Sequence, residues 1–246
     1  MFTVNVIAYY STMIFASANF SRKDALLASF GCGALNWLGA LPAVFTIDRF
    51  GRRKLLLVTL PFLSICLFWA GSNFSVTDQG LKNNLLMASI YIFMFAYSPG
   101  LGPVPFTYAA EAFPLHIRAQ GMASATSITW ALNFVISFSW PQMMNTFTVR
   151  GGFYFYATWN IIGFIFAYFF VPETKNRTLE ELDVVFSVRN RDHAAYQVMK
   201  LKRGIKKLTG KKVDPVPELY KLRTPTSSVS AELVQGVVEP KGNDAV

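Results

Sequence analysis

The sequence predicts an all-α polytopic membrane protein, and three observations carry that prediction. Six long stretches, 1–21, 25–47, 55–77, 83–110, 119–149 and 151–172, contain no Asp, Glu, Lys or Arg. Each can cross a hydrocarbon core as a helix, which takes about 20 apolar residues, whereas an open sheet would leave edge groups unpaired in lipid. The chain is also 52% hydrophobic and only 15% charged, where a soluble domain carries about a quarter. Residues 1–172 are therefore expected to form a bundle of six transmembrane helices, and residues 173–246 a cytoplasmic, partly disordered tail.

The first stretch lacks a basic leading region and is interrupted early by Asn5, so it does not read as a cleavable signal peptide. The second runs directly into Asp48-Arg49-Phe50-Gly51-Arg52-Arg53. That hexapeptide is expected to turn at Gly51 and present three guanidiniums at the membrane surface, with Asp48 capping or pairing locally. Arginine forks suit carboxylates at neighbouring helix ends, Glu111 among them. The third stretch contains Pro61 and the fifth Pro141, each readable as a packing kink. The fourth is different, because Pro99-Gly100-Leu101-Gly102-Pro103-Val104-Pro105 puts three prolines and two glycines in seven residues. A span so interrupted exposes backbone groups that can face a cavity, and such breaks point to transporter binding sites.

Short connections imply antiparallel neighbours in one bundle. Cys32 and Cys66 both fall inside spans and read as small buried hydrophobes rather than a disulfide framework. Past the last span, Thr178 with Glu181 three residues on reads as a capping box opening a short amphipathic turn. The basic stretch 189–212 is open to two readings, a contact with anionic lipid headgroups or a solvated tail. Beyond Asp214 the composition suggests disorder.

The net charge of +9 does not indicate nucleic acid, because its distribution follows the membrane. If the six spans alternate in direction, one side gathers 19 Lys and Arg and the other four. Positive charge accumulates in the cytoplasm, and the dense cluster from Arg49 to Lys54 abuts a helix end. This places that loop, the C-terminus and, with six spans, the N-terminus in the cytoplasm.

The order of signals is more specific than any of them alone. Asn5-Val6-Ile7-Ala8-Tyr9-Tyr10 comes first, then Asp48-Arg49-Phe50-Gly51-Arg52-Arg53, then Gly102-Pro103-Val104-Pro105-Phe106. Ala110-Glu111 and Arg118-Ala119-Gln120-Gly121 follow, and Pro172-Glu173-Thr174-Lys175 closes the set. Over residues 1–186 this resembles the C-terminal six-helix half of a major facilitator superfamily sugar porter, most similar to the fungal hexose and polyol branch. The resemblance implies transmembrane transport of a sugar or polyol by alternating access, as uniporter or proton symporter, in a multi-pass protein of the plasma membrane. It implies no cofactor and no metal. Substrate contacts would come from Asn5, Tyr9, Tyr10, Asn36, Phe106 and Asn133. Asp48, Arg49, Arg52, Arg53, Glu111 and Arg118 would form the cytoplasmic charge network, with Trp130 as a gate or packing residue.

Departures from the family pattern point to a less polar site than that of a glucose porter. Thr129 stands where the family has an amide, and Phe106 keeps a stacking face but lacks the indole N–H of the usual tryptophan. The whole N-terminal half of the family fold has no counterpart here, so a truncated half or a partner six-helix unit is expected. The alternative is a non-transporting nutrient sensor or an inactive fragment. Enzymatic signatures are missing: no P-loop, no metal-ligand spacing and no nucleophile elbow. Two sequons, Asn19-Phe20-Ser21 and Asn73-Phe74-Ser75, fall on the predicted outer side, with Asn73 the expected acceptor.

Overall fold

The computed structural model describes residues 2–208, and they form helices joined by short turns. Helix α1 (Phe2–Ser17) ends in a tight turn at Asn19, whose φ is 65°. Ser21 then caps α2 (Arg22–Ala40) by accepting the Asp24 N–H at 3.2 Å. The Leu41–Pro42 step bends the chain by 47° into α3 (Ala43–Phe50). Proline lacks the donor that would continue α2, which explains the break. Gly51, at φ 89°, ends α3 and starts α4 (Arg52–Asn73).

Asp78 caps α5 (Gln79–Gly100). Residues 101–103 then form a turn before α6 (Val104–Ala112), so the fourth predicted span is broken at its Pro/Gly cluster. Helix α7 (Arg118–Phe170) has 53 residues. At 1.5 Å per residue it would measure about 80 Å if straight, more than twice a bilayer core of about 30 Å. It is not straight, because Thr148 sits at φ 64°, ψ 163° inside it. Trp140 packs on Tyr156 at 5.7 Å between ring centroids. Those residues lie at equal distances either side of Thr148, so 118–147 and 149–170 double back as a hairpin.

Several boundaries differ from the sequence expectation. The fifth and sixth spans do not part at Arg150; the turn falls at Thr148 and Arg150 belongs to the second arm. Asp48 and Arg49 lie within α3, not in a loop. By length and apolarity 52–73, 79–112 and 118–170 can cross a membrane, and the bent pair α2–α3 adds a fourth candidate. The apolar part of α1, Val4–Ser17, is shorter than a standard span.

Helix α4 packs against both α5 and α7, α2 against α5, and α1 against α2 and α7. Close approach of small residues and interhelical hydrogen bonds hold such contacts in lipid. The Ser64 hydroxyl donates to the Ala157 carbonyl at 2.7 Å, tying α4 to the second arm of α7. A Cβ on Gly100 would lie 2.3 Å from Thr59 Cγ2, so α5 meets α4 where only glycine fits. Around this core the perimeter is apolar, with Phe30 and Phe45 77% exposed and Phe134 70% exposed. In water such a surface would aggregate; facing lipid it carries no penalty.

The tail expectation changes up to residue 208. Helix α8 (Leu179–Ser187) opens with the capping box formed by Thr178 and Glu181, and its Leu182 and Val185 are buried. Helix α9 (Asn190–Leu208) packs on α7 and is not a solvated strand of tail. Its buried His193 accounts for this, with Nδ1 2.9 Å from the Phe169 carbonyl at the end of α7. Those terminal carbonyls have no partner within their own helix. The expectation of disorder beyond Asp214 falls outside the described residues. Asn73 is 4% exposed and its amide faces Ser89 Oγ at 3.5 Å, so of the two sequons it is Asn19 that is exposed.

Candidate functional site

A cleft of about 600 Å³ opens between the α2–α3 bend and the break after α5. Asn36 and Trp37 line it from α2, Val44 and Ile47 from α3, and Tyr97, Ser98, Gly102 and Pro103 from the break. Two interrupted helices thus face each other across it. The Ser98 hydroxyl is shared between the side-chain oxygen of Asn36 and its backbone carbonyl, the latter 2.8 Å away. This fixes the orientation of the amide and leaves its N–H₂ donors without a protein partner among the described residues. The site is therefore mostly apolar and aromatic, with one oriented amide.

The other sequence-derived contacts lie outside that lining. Asn5 is half-buried on α1, and Tyr9, one turn on, is 55% exposed. The Tyr10 hydroxyl donates to the Ser137 carbonyl at 2.9 Å and so pins α1 to α7. Phe106 on α6 is 38% exposed, and Trp130 on α7 is 60% exposed. Asn133 is 4% exposed and its Oδ1 accepts no hydrogen bond among the described residues. Ser137 Oγ and Trp140 Nε1, along the same face of α7, are likewise unpaired. Buried polar atoms are nearly always satisfied, and these three, at i, i+4 and i+7, form a polar stripe along one face of α7. The Thr129 hydroxyl donates its proton to the Ala125 carbonyl of its own helix at 2.9 Å, so its donor is used there.

At the opposite end of α6, charges converge. Arg52 Nη2 lies 2.8 Å from Glu111 Oε1, and its Nη1 3.1 Å from Asp48 Oδ1. The Thr174 hydroxyl donates to Glu111 Oε2 at 2.6 Å. Glu173 Oε1 receives the Lys175 N–H at 3.3 Å and the Arg53 N–H, in the first turn of α4, at 3.5 Å. Arg53 reaches the Tyr168 carbonyl at 2.7 Å, and Lys175 Nζ donates to the Arg49 carbonyl at 2.6 Å. Four segments, around 48–53, 111, 168 and 173–175, are thereby tied together. Arg118 stays outside the ion pairs and donates to the Phe113 carbonyl at 3.3 Å.

The family described as "Sugar (and other) transporter" matches residues 1–186. The chain belongs to that family. Membrane transporter D1 of Leishmania donovani is 35% identical over 196 residues, covering 76% of this chain and 35% of that protein. Myo-inositol transporter 2 of Schizosaccharomyces pombe is 34% identical, covering 72% of this chain and 33% of its own length. Among solved structures, the proton:xylose symporter XylE bound to 6-bromo-6-deoxy-D-glucose matches with a TM-score of 0.66 at 27% identity. That match covers 75% of this chain and 39% of the XylE chain. The fold is thus a six-helix half of the major facilitator superfamily architecture, and the chain spans well under half the length of these relatives.

Within this sugar-transporter fold, sequence reasoning overlooked Ser98, Glu173 and Thr174 as contact residues. Ser98 carries no signal linking it to Asn36, since sixty-two positions separate them. Glu173 and Thr174 were visible only as a motif just past the last span. Their partners on α4 and α6 come from tertiary packing alone.

Proposed function

We propose that this chain supplies one half of an alternating-access transporter for a sugar or polyol. The observation that carries the reading is the cleft between two broken helices, where the Ser98-oriented amide of Asn36 offers free N–H donors. Discontinuous helices at a midplane cavity are where such transporters bind solute. Asn5, Tyr9 and Asn133 add polar groups from α1 and α7, and Phe106 an aromatic face. Tyr10 acts in this reading by seating α1 on α7.

The closed cytoplasmic state is held by Arg52, Glu111 and Asp48, with Arg49, Arg53 and Arg118 contributing positive charge around them. Trp130 gates or packs against the second half. Both termini lie in the cytoplasm and the host membrane is the plasma membrane. Transport requires a second six-helix unit, whether an N-terminal half or a partner, and that unit decides between passive and proton-driven movement. With the Thr129 hydroxyl proton bonded within its own helix and no indole at position 106, these two positions offer the solute fewer hydrogen-bond donors than the family's amide and tryptophan, so a solute less hydroxylated than glucose, or differently shaped, is preferred.

The test is uptake of radiolabelled hexoses and polyols by liposomes holding the protein with its complementary half. Saturable uptake that falls at least tenfold in Asn36→Leu supports the reading. Solute binding without any flux would favour the sensor reading instead.

A further inference from the structure

Helix α9 presents a surface that neither the cleft nor the charge cluster uses. Its inner face is settled: His193 and Gln197, one turn apart, are 5% and 4% exposed, and His193 holds the Phe169 carbonyl. That bond sets α9 at the last turn of α7, where the apolar arm ends. On those same turns Phe166 and Phe170 are 59% and 41% exposed, so α9 adjoins the lipid-facing perimeter of the bundle.

The remaining surface of α9 combines two features. Val198, Met199 and Leu201 are 37%, 39% and 44% exposed, although they sit next to lysines in a polar segment. Charge is one-sided, since α9 holds six Lys and Arg against Asp192 alone. Helical spacing puts Arg191, Val198 and Lys202 at i, i+7 and i+11, one stripe of apolar and basic side chains. Arg191, Lys200 and Lys202 are exposed and form no ion pair among the described residues.

We propose that α9 is a docking surface for anionic phospholipid headgroups at the cytoplasmic face of the membrane. Its apolar side chains enter the headgroup boundary, and its lysines and arginines meet the phosphate and carboxylate charges there. Each basic residue close to such a surface contributes about 1 kcal/mol, and the attraction decays within a Debye length. A zwitterionic bilayer offers the apolar term but not the charge term, so the contact selects lipid composition.

The experiment uses the full chain in nanodiscs of phosphatidylcholine alone or mixed with phosphatidylserine. Val198→Cys carries an environment-sensitive fluorophore; Cys32 and Cys66 are buried and are replaced by alanine. The expected result is a blue-shifted emission in the phosphatidylserine discs, reversed by high salt. Arg191→Gln/Lys202→Gln should lose about half of that shift while amide protection of α9 stays unchanged. Equal emission in the two lipid compositions overturns the proposal. So does a phosphatidylserine-dependent shift that salt leaves intact.

Discussion

Thr174 donates its hydroxyl to Glu111 at 2.6 Å, while the other oxygen of that carboxylate holds Arg52 at 2.8 Å. The residue just past the last apolar arm thus orients the acid that clamps the start of α4 to α6. Arg52 and Glu111 side chains are 16% and 21% exposed, whereas Asp48, the second partner of Arg52, is 80% exposed. The two ion pairs should therefore differ in strength. Glu111→Gln is expected to destabilise the protein by about 2 kcal/mol, the scale of a hydrogen bond to a charged group. Asp48→Asn should cost about 0.5 kcal/mol or less, as surface pairs do, and Thr174→Val about 1 kcal/mol. Thermal unfolding in detergent ranks the three; equal losses for Asp48 and Glu111 would contradict the ordering.

Gly51 joins α3 to α4 at φ 89°, and a Cβ there would lie 2.8 Å from Glu173 Oε1. An alanine meets both a backbone penalty of about 1–3 kcal/mol, because φ 89° with ψ 157° is essentially a glycine-only region, and the carboxylate that receives the Arg53 and Lys175 amides. Gly51→Ala should therefore lower stability by about 2 kcal/mol, and combining it with Glu173→Ala should recover part of that loss. Melting temperatures of the two single variants and the double variant measure the coupling.

His193 predicts a pH dependence for the docking of α9. Burial pushes its pKa below the ordinary histidine value, assisted by the nearby Arg53 charge, while its bond to the Phe169 carbonyl opposes the shift. The docked state therefore favours the neutral ring, and the undocked helix binds more protons below about pH 6.5. Docking should be fully present above that pH and be lost progressively as pH falls toward the lowered value. Hydrogen-exchange protection of the α9 amides, corrected for intrinsic rates, should decline from pH 7.5 to 5.5. His193→Gln should flatten the profile, and an unchanged decline in that variant would assign it to another group.

How much of this was legible depends on which force shaped each element. Runs without charge reveal membrane arms because burying an ion in lipid is costly, and Pro99–Pro103 reveals a break because proline cannot complete the ladder. The capping box at Thr178 is a local interaction and was readable as such. The hairpin at Thr148 was not, since the turn residue itself is a β-branched threonine and Arg150 with Gly151-Gly152 suggested a boundary slightly further on. Nor was α9, whose buried pair is polar and hides in a basic segment. Asn36 was recognisable as a candidate by family register, but Ser98, which orients it, is set by helix packing across the cleft.

Asn133 separates a structural role from a binding one. Its Oδ1 is buried and unpaired among the described residues, a state that costs about 1–3 kcal/mol. Replacing it by a similarly shaped apolar side chain removes that cost. Asn133→Leu should therefore leave the melting temperature unchanged or raise it by a few degrees, while weakening solute binding about tenfold through loss of one amide contact. Solute-induced stabilisation should shrink by the matching amount, because ligand shifts the equilibrium only as far as its affinity allows. The two readouts move in opposite directions only if the amide is kept for the solute. A variant that melts markedly lower yet binds normally would make Asn133 a packing residue and move the polar contact to another helix.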